Sequence, residues 1–243
     1  MDFSKSGFGI VGLGFGDNRP TFTCGNLAAG DDMFDFAGDD VLVYNIKYAE
    51  ASSVAGSDAV AFNVSGDNFH IEGCYIELGA ETLTFLTHDT TAKKGLTVVN
   101  NIIVGTAAGV DAGVRIELTH TYANVSGNTF LFAGSSGCDT GAVILVSGTT
   151  ASGGHIIRGN TILGLSAGSA GCNMAVWQAA TPTYSGLVAD NYVVSGAGGA
   201  DLALGNTPAA GLGFINNMVT EAGASVPGTV DNAGDPIALT PAA

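Results

Sequence analysis

The segment VNNII at residues 99–103 decides the fold, because variants of it recur along the chain: VYNIK at 43–47, EGCYI at 72–76, SGNTF at 126–130, RGNTI at 158–162, ADNYV at 189–193 and INNMV at 215–219. The central residues are Asn45, Cys74, Asn101, Asn128, Asn160, Asn191 and Asn217, separated by 29, 27, 27, 32, 31 and 26 residues. A repeat of this length marks a solenoid, in which each unit buries its apolar face only against its neighbours. Three residues before each centre stands an apolar side chain: Leu42, Ile71, Val98, Val125, Ile157, Val188 or Phe214. Two residues after come Lys47, Ile76, Ile103, Phe130, Ile162, Val193 and Val219, with Lys47 the exception.

The apolar segments are short, rich in β-branched and aromatic residues, and bounded by Gly, Asn, Asp or Ser, which is strand and turn chemistry. No long stretch has helical periodicity. Short strands at a fixed period, without helices between them, form a parallel sheet only if the chain coils and each coil stacks on the last. The expected fold is therefore all-β, a single-stranded parallel β-helix solenoid over residues 1–223, of about eight coils and about 35–40 Å long. Its first coil is read at 8–24. Residues 224–243 lose the repeat, contain three of the six prolines and read as an extended C-terminal tail. Asn suits the repeat centre because it tolerates the left-handed conformation of a sharp turn, and its amide can bond to the equivalent Asn on the next coil. Cys74 interrupts that ladder once.

Composition narrows the function. With 46% hydrophobic residues the chain is not disordered, despite 37 glycines in 243 residues. Seven basic residues against 22 acidic ones give a net charge of −15, so there is no Lys/Arg patch to neutralise phosphates, and nucleic acid is not an expected partner. No run of 18 apolar residues suggests a membrane helix, and no secretory signal is visible, so a soluble chain that is not exported is expected. The acids Asp31, Asp32, Asp35, Asp39 and Asp40 read as a solvated rim rather than a calcium site. Cys24, Cys74, Cys138 and Cys172 lack the close spacing of a zinc site and are expected as buried free thiols, or as a disulfide if two fall on adjacent coils. No metal and no cofactor is expected.

Several residues invite a catalytic reading. Gly7, Gly9 and Gly12 match the spacing of a dinucleotide-binding loop, but that motif opens a helix and Pro20 stands in the way, so a tight first coil is the better reading. His70, His88, His120 and His155 lie in different repeats, and only His88 adjoins an acid, Asp89. His120 and His155 would share a face if their coils align. The acids Glu50, Glu72, Glu77, Glu81, Asp111 and Glu117 could supply a glycosidase pair only if two converge, and Arg115 with Arg158 could sit one coil apart. Trp177 is the only Trp, while Phe62, Phe69, Phe130 and Phe214 fall in the repeat and read as core. No residue is assigned a catalytic role.

The phrases GLGFGDNRPTFTC at 12–24, FNVSGDNFHIEGCYIELG at 62–79, VSGNTFLFAG at 125–134 and IRGNTILGLSAG at 157–168 resemble the right-handed parallel β-helix, pectin-lyase-like family, in particular its bacteriophage virion members. The calcium-binding aspartates and catalytic arginine of pectate lyases are not matched. The resemblance implies a non-enzymatic virion structural protein, most simply a capsid decoration (cement) protein on the outer capsid surface, made in the host cytoplasm. Its expected partners are two further copies, as a homotrimer, and the major capsid protein or another virion protein, with neither nucleic acid nor membrane. The alternative is a short tailspike or receptor-binding protein that binds or cleaves host polysaccharide. Because only MDFSKSG precedes the first coil as read, the apolar end of the coil is expected to need a cover. Phe3, Phe8, Pro227 and Pro236 are the candidate partner contacts.

Overall fold

The computed structural model describes residues 1–24, 32–50, 59–79, 82–88, 93–105, 110–116, 121–132, 138–145, 152–164, 176–178, 184–195, 212–221, 228–230 and 236–238. Among these the chain is almost entirely strand, with one 3-10 turn at Gly16–Asn18. The strands form three sheets of seven, eight and ten strands. A coil takes one strand through each sheet in turn, as in Ala59–Val64, His70–Glu72 and Tyr75–Leu78. The next coil pairs in parallel on the last: Tyr75 opposes Ile102, which opposes Thr129, which opposes Thr161. The chain is thus a parallel β-solenoid, and the second sheet receives a strand from eight successive passes.

Both ends depart from the sequence reading. Asp2 and Phe3 pair with Asp35 and Phe36, and the Met1 amine donates to the Met33 carbonyl at 2.8 Å, so the first coil begins before residue 8. At the other end, Gly228–Val230 pairs antiparallel with Met218–Glu221, and Pro236–Ala238 pairs antiparallel with Gly228–Val230. Part of the expected tail therefore extends the third sheet. The antiparallel sense lets a short connection return the chain, where another parallel strand would need a full coil.

The core follows from side chains alternating across each strand. Val43, Ile71, Val98, Val125, Ile157 and Val188 are buried in one column of the second sheet, and Tyr48, Ile76, Ile103, Phe130 and Ile162 in one column of the third. Val43 opposes Ile71, and Tyr48 opposes Ile76. The second coil is therefore offset by one residue from its sequence alignment, and its apolar exception disappears. Lys47 points outward, with its Nζ 4.0 Å from Glu77 Oε2 and 5.3 Å from the centre of the Tyr75 ring.

At the N-terminal end the core is aromatic. Phe3 stacks on Phe36 with centroids 4.9 Å apart, Phe34 on Phe62 at 5.0 Å, and Phe3 on Phe8 at 5.5 Å. Such pairs add roughly 0.5–1.5 kcal/mol each beyond the area they bury. Phe3 and Phe8, expected as partner contacts, are half-buried and close the first coil. Pro236 lies in the antiparallel extension, and Pro227 falls outside the described residues.

Coil spacing is held tightly where the chain turns from the first sheet to the second. A Cβ built on Gly66 would stand 1.9 Å from the Gly38 carbonyl oxygen, and one on Gly38 would stand 1.9 Å from that of Lys5. The contact is backbone, so it cannot rotate away. Gly66→Ala is expected to cost about 1–3 kcal/mol by forcing the two coils apart, read as a lowered urea midpoint. An unchanged midpoint would show that the corner yields.

Candidate functional site

The buried polar residues of the described core are mostly one column of asparagines at the turn from the second sheet to the third. The backbone N–H groups of Cys74, Asn101, Asn128, Asn160 and Asn191 donate to the side-chain oxygens of Asn101, Asn128, Asn160, Asn191 and Asn217, at 2.9–3.1 Å. The amide nitrogens of Asn101, Asn128, Asn160 and Asn191 each donate in turn to the next Asn oxygen and to a carbonyl of the preceding coil, as Asn160 Nδ2 does to Asn191 Oδ1 and Val125 O, both at 2.9 Å, while Asn217 Nδ2, at the end of the column, donates to Val188 O at 2.9 Å. Every amide is thereby satisfied inside the core, which is the condition for tolerating it there. Cys74 ends the column: its Sγ lies 3.4 Å from the Glu72 carbonyl oxygen, and burial pushes its thiol up to about 11. Cys74 is free and buried, and at neutral pH it stays a thiol rather than the reactive thiolate.

The sequence reading gave one asparagine two tasks, and the fold divides them. The left-handed residue is the one before the ladder position: Gly73, Asn100, Gly127, Gly159, Asp190 and Asn216 all have φ between 53° and 66°. Asn45, with φ 54°, belongs to this column and not to the ladder; register places Ile46 opposite Cys74. The physical reason is that the left-handed residue turns the chain outward, so only its successor faces the core. Asp190 adds surface ties, accepting from Arg158 Nε and from Asn216 Nδ2, both at 2.9 Å, and these hold its carboxyl below its usual range.

A second clamp, missed in the sequence, runs along the turn from the first sheet to the second. Ser6 Oγ accepts from the Asp39 N–H at 3.0 Å, Asp39 Oδ1 from Asp67 N–H at 2.8 Å, and Asp67 Oδ1 from Lys94 N–H at 3.2 Å. Asn68 Nδ2 donates to Asp40 Oδ1 at 2.9 Å. The signal was present in the matching phrases GDDV at 38–41 and GDNF at 66–69. Asp39 and Asp40 are thus coil-to-coil ties. Asp32 is another, accepting from the Val60 N–H at 3.3 Å, and Asp31 lies outside the described residues. Among the described residues no three His, Cys, Asp or Glu converge as a metal site.

The first coil carries the most unusual surface. In later coils the second and third sheets are joined by two residues, as by Gly73 and Cys74, whereas in the first the junction runs over residues 12–20. Asn45 holds that loop from the coil beneath. Its Nδ2 donates to the carbonyls of Gly12 at 2.9 Å and Gly14 at 2.6 Å, and its Oδ1 accepts from Arg19 Nε at 2.8 Å. A Cβ on Gly12 would lie 2.0 Å from the Asn45 carbonyl oxygen, so the close approach requires glycine. The loop so fixed displays Leu13 and Phe15, which are 93% and 90% exposed. Alternation of apolar residues with glycine in GLGFG was the available signal. It leaves Leu13 and Phe15 no neighbouring side chain of their own loop to pack on.

Among the described residues the remaining candidates do not converge. Gly9 is in a strand and Gly7 at a turn with φ 71°, so the glycine motif builds the first coil. Glu50 Oε2 accepts from the Gly79 N–H at 2.9 Å, Glu72 meets His70 Nε2 at 3.1 Å, and Glu77 faces Lys47. His88 is buried with Nε2 2.9 Å from the Gly66 carbonyl oxygen. His155 is buried too, and desolvation lowers its pKa to about 4. Arg115 lies in the first sheet and Arg158 in the second, so they do not stack. Asp111 and Trp177 are strand positions of the first sheet; Glu81, Asp89, Glu117, His120 and Cys172 fall outside the described residues. Cys24 and Cys138 belong to different sheets. Phe62, Phe69 and Phe130 are core, as expected.

No family model, no curated protein and no solved structure matches the chain.

Proposed function

We propose that this protein is a non-enzymatic structural component of a bacteriophage particle, a capsid decoration protein that acts as a trimer and attaches through its N-terminal loop. The observation that carries the reading is the clamped loop displaying Leu13 and Phe15. Two large apolar side chains held in water without a partner are costly unless a partner covers them, and a loop fixed in advance loses little freedom on binding. The described acids Glu50, Glu72 and Glu77, each engaged by a neighbour, support a structural rather than a hydrolytic role. A charge of −15 supports an outward-projecting rod that keeps particles apart in solution.

Electron microscopy of purified particles tests the location, with density on the outer capsid surface expected. Density confined to the tail tip would overturn it in favour of the receptor-binding alternative. The attachment surface is tested with the doubly substituted Leu13→Ser, Phe15→Ser protein. Its urea midpoint should match that of the parent, while its binding to particles stripped of this protein should fall at least about tenfold, the loss of roughly 1.4 kcal/mol or more. Equal binding would exclude the loop as the contact.

A further inference from the structure

Among the described residues, the third sheet presents a face to solvent that differs from that of the second sheet. Its outward positions run from Thr21 and Thr23 in the first coil to the charged pair Lys47 and Glu77, 4.0 Å apart, in the next two. From the next coil onward they carry no charge: Ile102 is succeeded by Thr129, Thr161, Tyr192 and Met218 in register, while Leu131 and Leu163 stand in the adjacent column. Ile102, Tyr192 and Met218 are 41–42% exposed, although the residues between the outward columns, Ile103, Phe130 and Ile162, are buried. An uncharged, largely apolar strip therefore runs over five coils of a chain whose net charge is −15. The second sheet has no equivalent, since its outward positions include His70, Glu72 and Arg158.

We infer that this strip is where copies of the chain meet, rod beside rod. Two observations select a second copy over a different partner. Like-charged copies repel, and the repulsion is least where the outward positions are neutral. An unlike protein drawn to this chain by charge would favour the acidic faces instead. The strip also has a spacing of about 4.8 Å between coils, and another copy of the same solenoid presents the same spacing, so side chains of one rod can seat between coils of the other along its length. Five coils of four-residue strands give a flat footprint of about 300 Å², well under the roughly 800 Å² per partner of a stable pair. The association is accordingly weak, reversible and dependent on concentration. This assignment rests on the oligomeric part of the proposed function and not on its particle location.

Sedimentation equilibrium of the full chain decides it, across roughly 5–500 µM, a range suited to weak association. The parent should exceed its monomer mass of 24.2 kDa as concentration rises. Raising the salt should strengthen association, because it screens the repulsion between acidic rods. The variant Ile102→Glu, Tyr192→Glu should associate at least tenfold more weakly, while Leu42→Glu, an added charge on the second sheet, should leave association within about twofold, the small effect of a charge outside the contact. Circular dichroism and urea midpoints confirm that each variant is folded. If the parent associates and Ile102→Glu, Tyr192→Glu associates equally, the strip is not the interface while the oligomeric reading stands. A parent that stays monomeric throughout overturns both, and association that weakens with salt assigns it to charge pairs elsewhere.

Discussion

Replacing Asn160 with alanine is expected to lower the free energy of unfolding by about 3–5 kcal/mol, among the larger effects of a single substitution. Asn160 Oδ1 accepts from both the N–H and the Nδ2 of Asn128, at 3.0 and 3.1 Å, and its own amide donates to Val125 O and Asn191 Oδ1. Alanine strands the Asn128 N–H and the Val125 carbonyl in the buried core, and each stranded group costs about 1–3 kcal/mol. Asn160→Asp should do comparable or greater harm, since it replaces the donating amide by a buried charge. The neighbouring left-handed column gives the control. Asn216 is exposed and among the described residues donates to the exposed Asp190, so Asn216→Ala should cost about 1–2 kcal/mol, mostly for holding alanine in the left-handed conformation at φ 53°. Urea unfolding followed by circular dichroism reads all three, and equal midpoints for Asn160→Ala and Asn216→Ala would refute the ladder as a stabilising element.

Acid is expected to weaken the fold through His155. The imidazole has no solvent exposure, and desolvation holds its folded pKa at about 4 against an ordinary value of 6.5. Above about pH 6.5 the ring is neutral in both states and adds no pH dependence. As the pH falls from about 6.5 to about 4, the unfolded chain takes up the proton and the folded one does not, so stability falls by about 1.4 kcal/mol per pH unit, approaching 3 kcal/mol in all. Below about 4 the folded ring is protonated as well and the loss levels off. The acidic side chains add their own pH dependence, so the comparison with His155→Gln isolates the ring. Between pH 7.5 and 4.5 the parent should lose about 2–3 kcal/mol more than this variant. Parallel losses would place the acid sensitivity elsewhere.

The repeat period, the absence of helical periodicity and the apolar columns on either side of the repeat centre were enough to specify a parallel solenoid. These are properties of chain-local pattern, because alternation and turn residues constrain each short strand without reference to its neighbours. Asn101, Asn128, Asn160, Asn191 and Asn217 were legible as a ladder for the same reason. The functional surfaces were less so. Phe3 and Phe8 looked available because nothing local showed Phe36 stacking on them, and Leu13 and Phe15 were not singled out because they lay within the stretch read as the first coil.

Asn45 shows where pattern ends. A lone asparagine in VYNIK fits the left-handed position and the ladder position equally well, and a slip of one residue exchanges the inward and outward faces of a strand. Hydrogen bonds between coils settle the choice, since Tyr44 must oppose Glu72, and Tyr48 rather than Lys47 then enters the core. Freed from the ladder, Asn45 clamps the loop of the coil before it and sets Leu13 and Phe15 in water. The chain's own periodicity was sufficient for a coiled parallel sheet, because the repeat leaves each apolar face only its neighbours to bury against. Which side chains the coil hides and which it offers depended on contacts between residues some thirty positions apart, where register is an energetic outcome of stacking and not a property of any one segment.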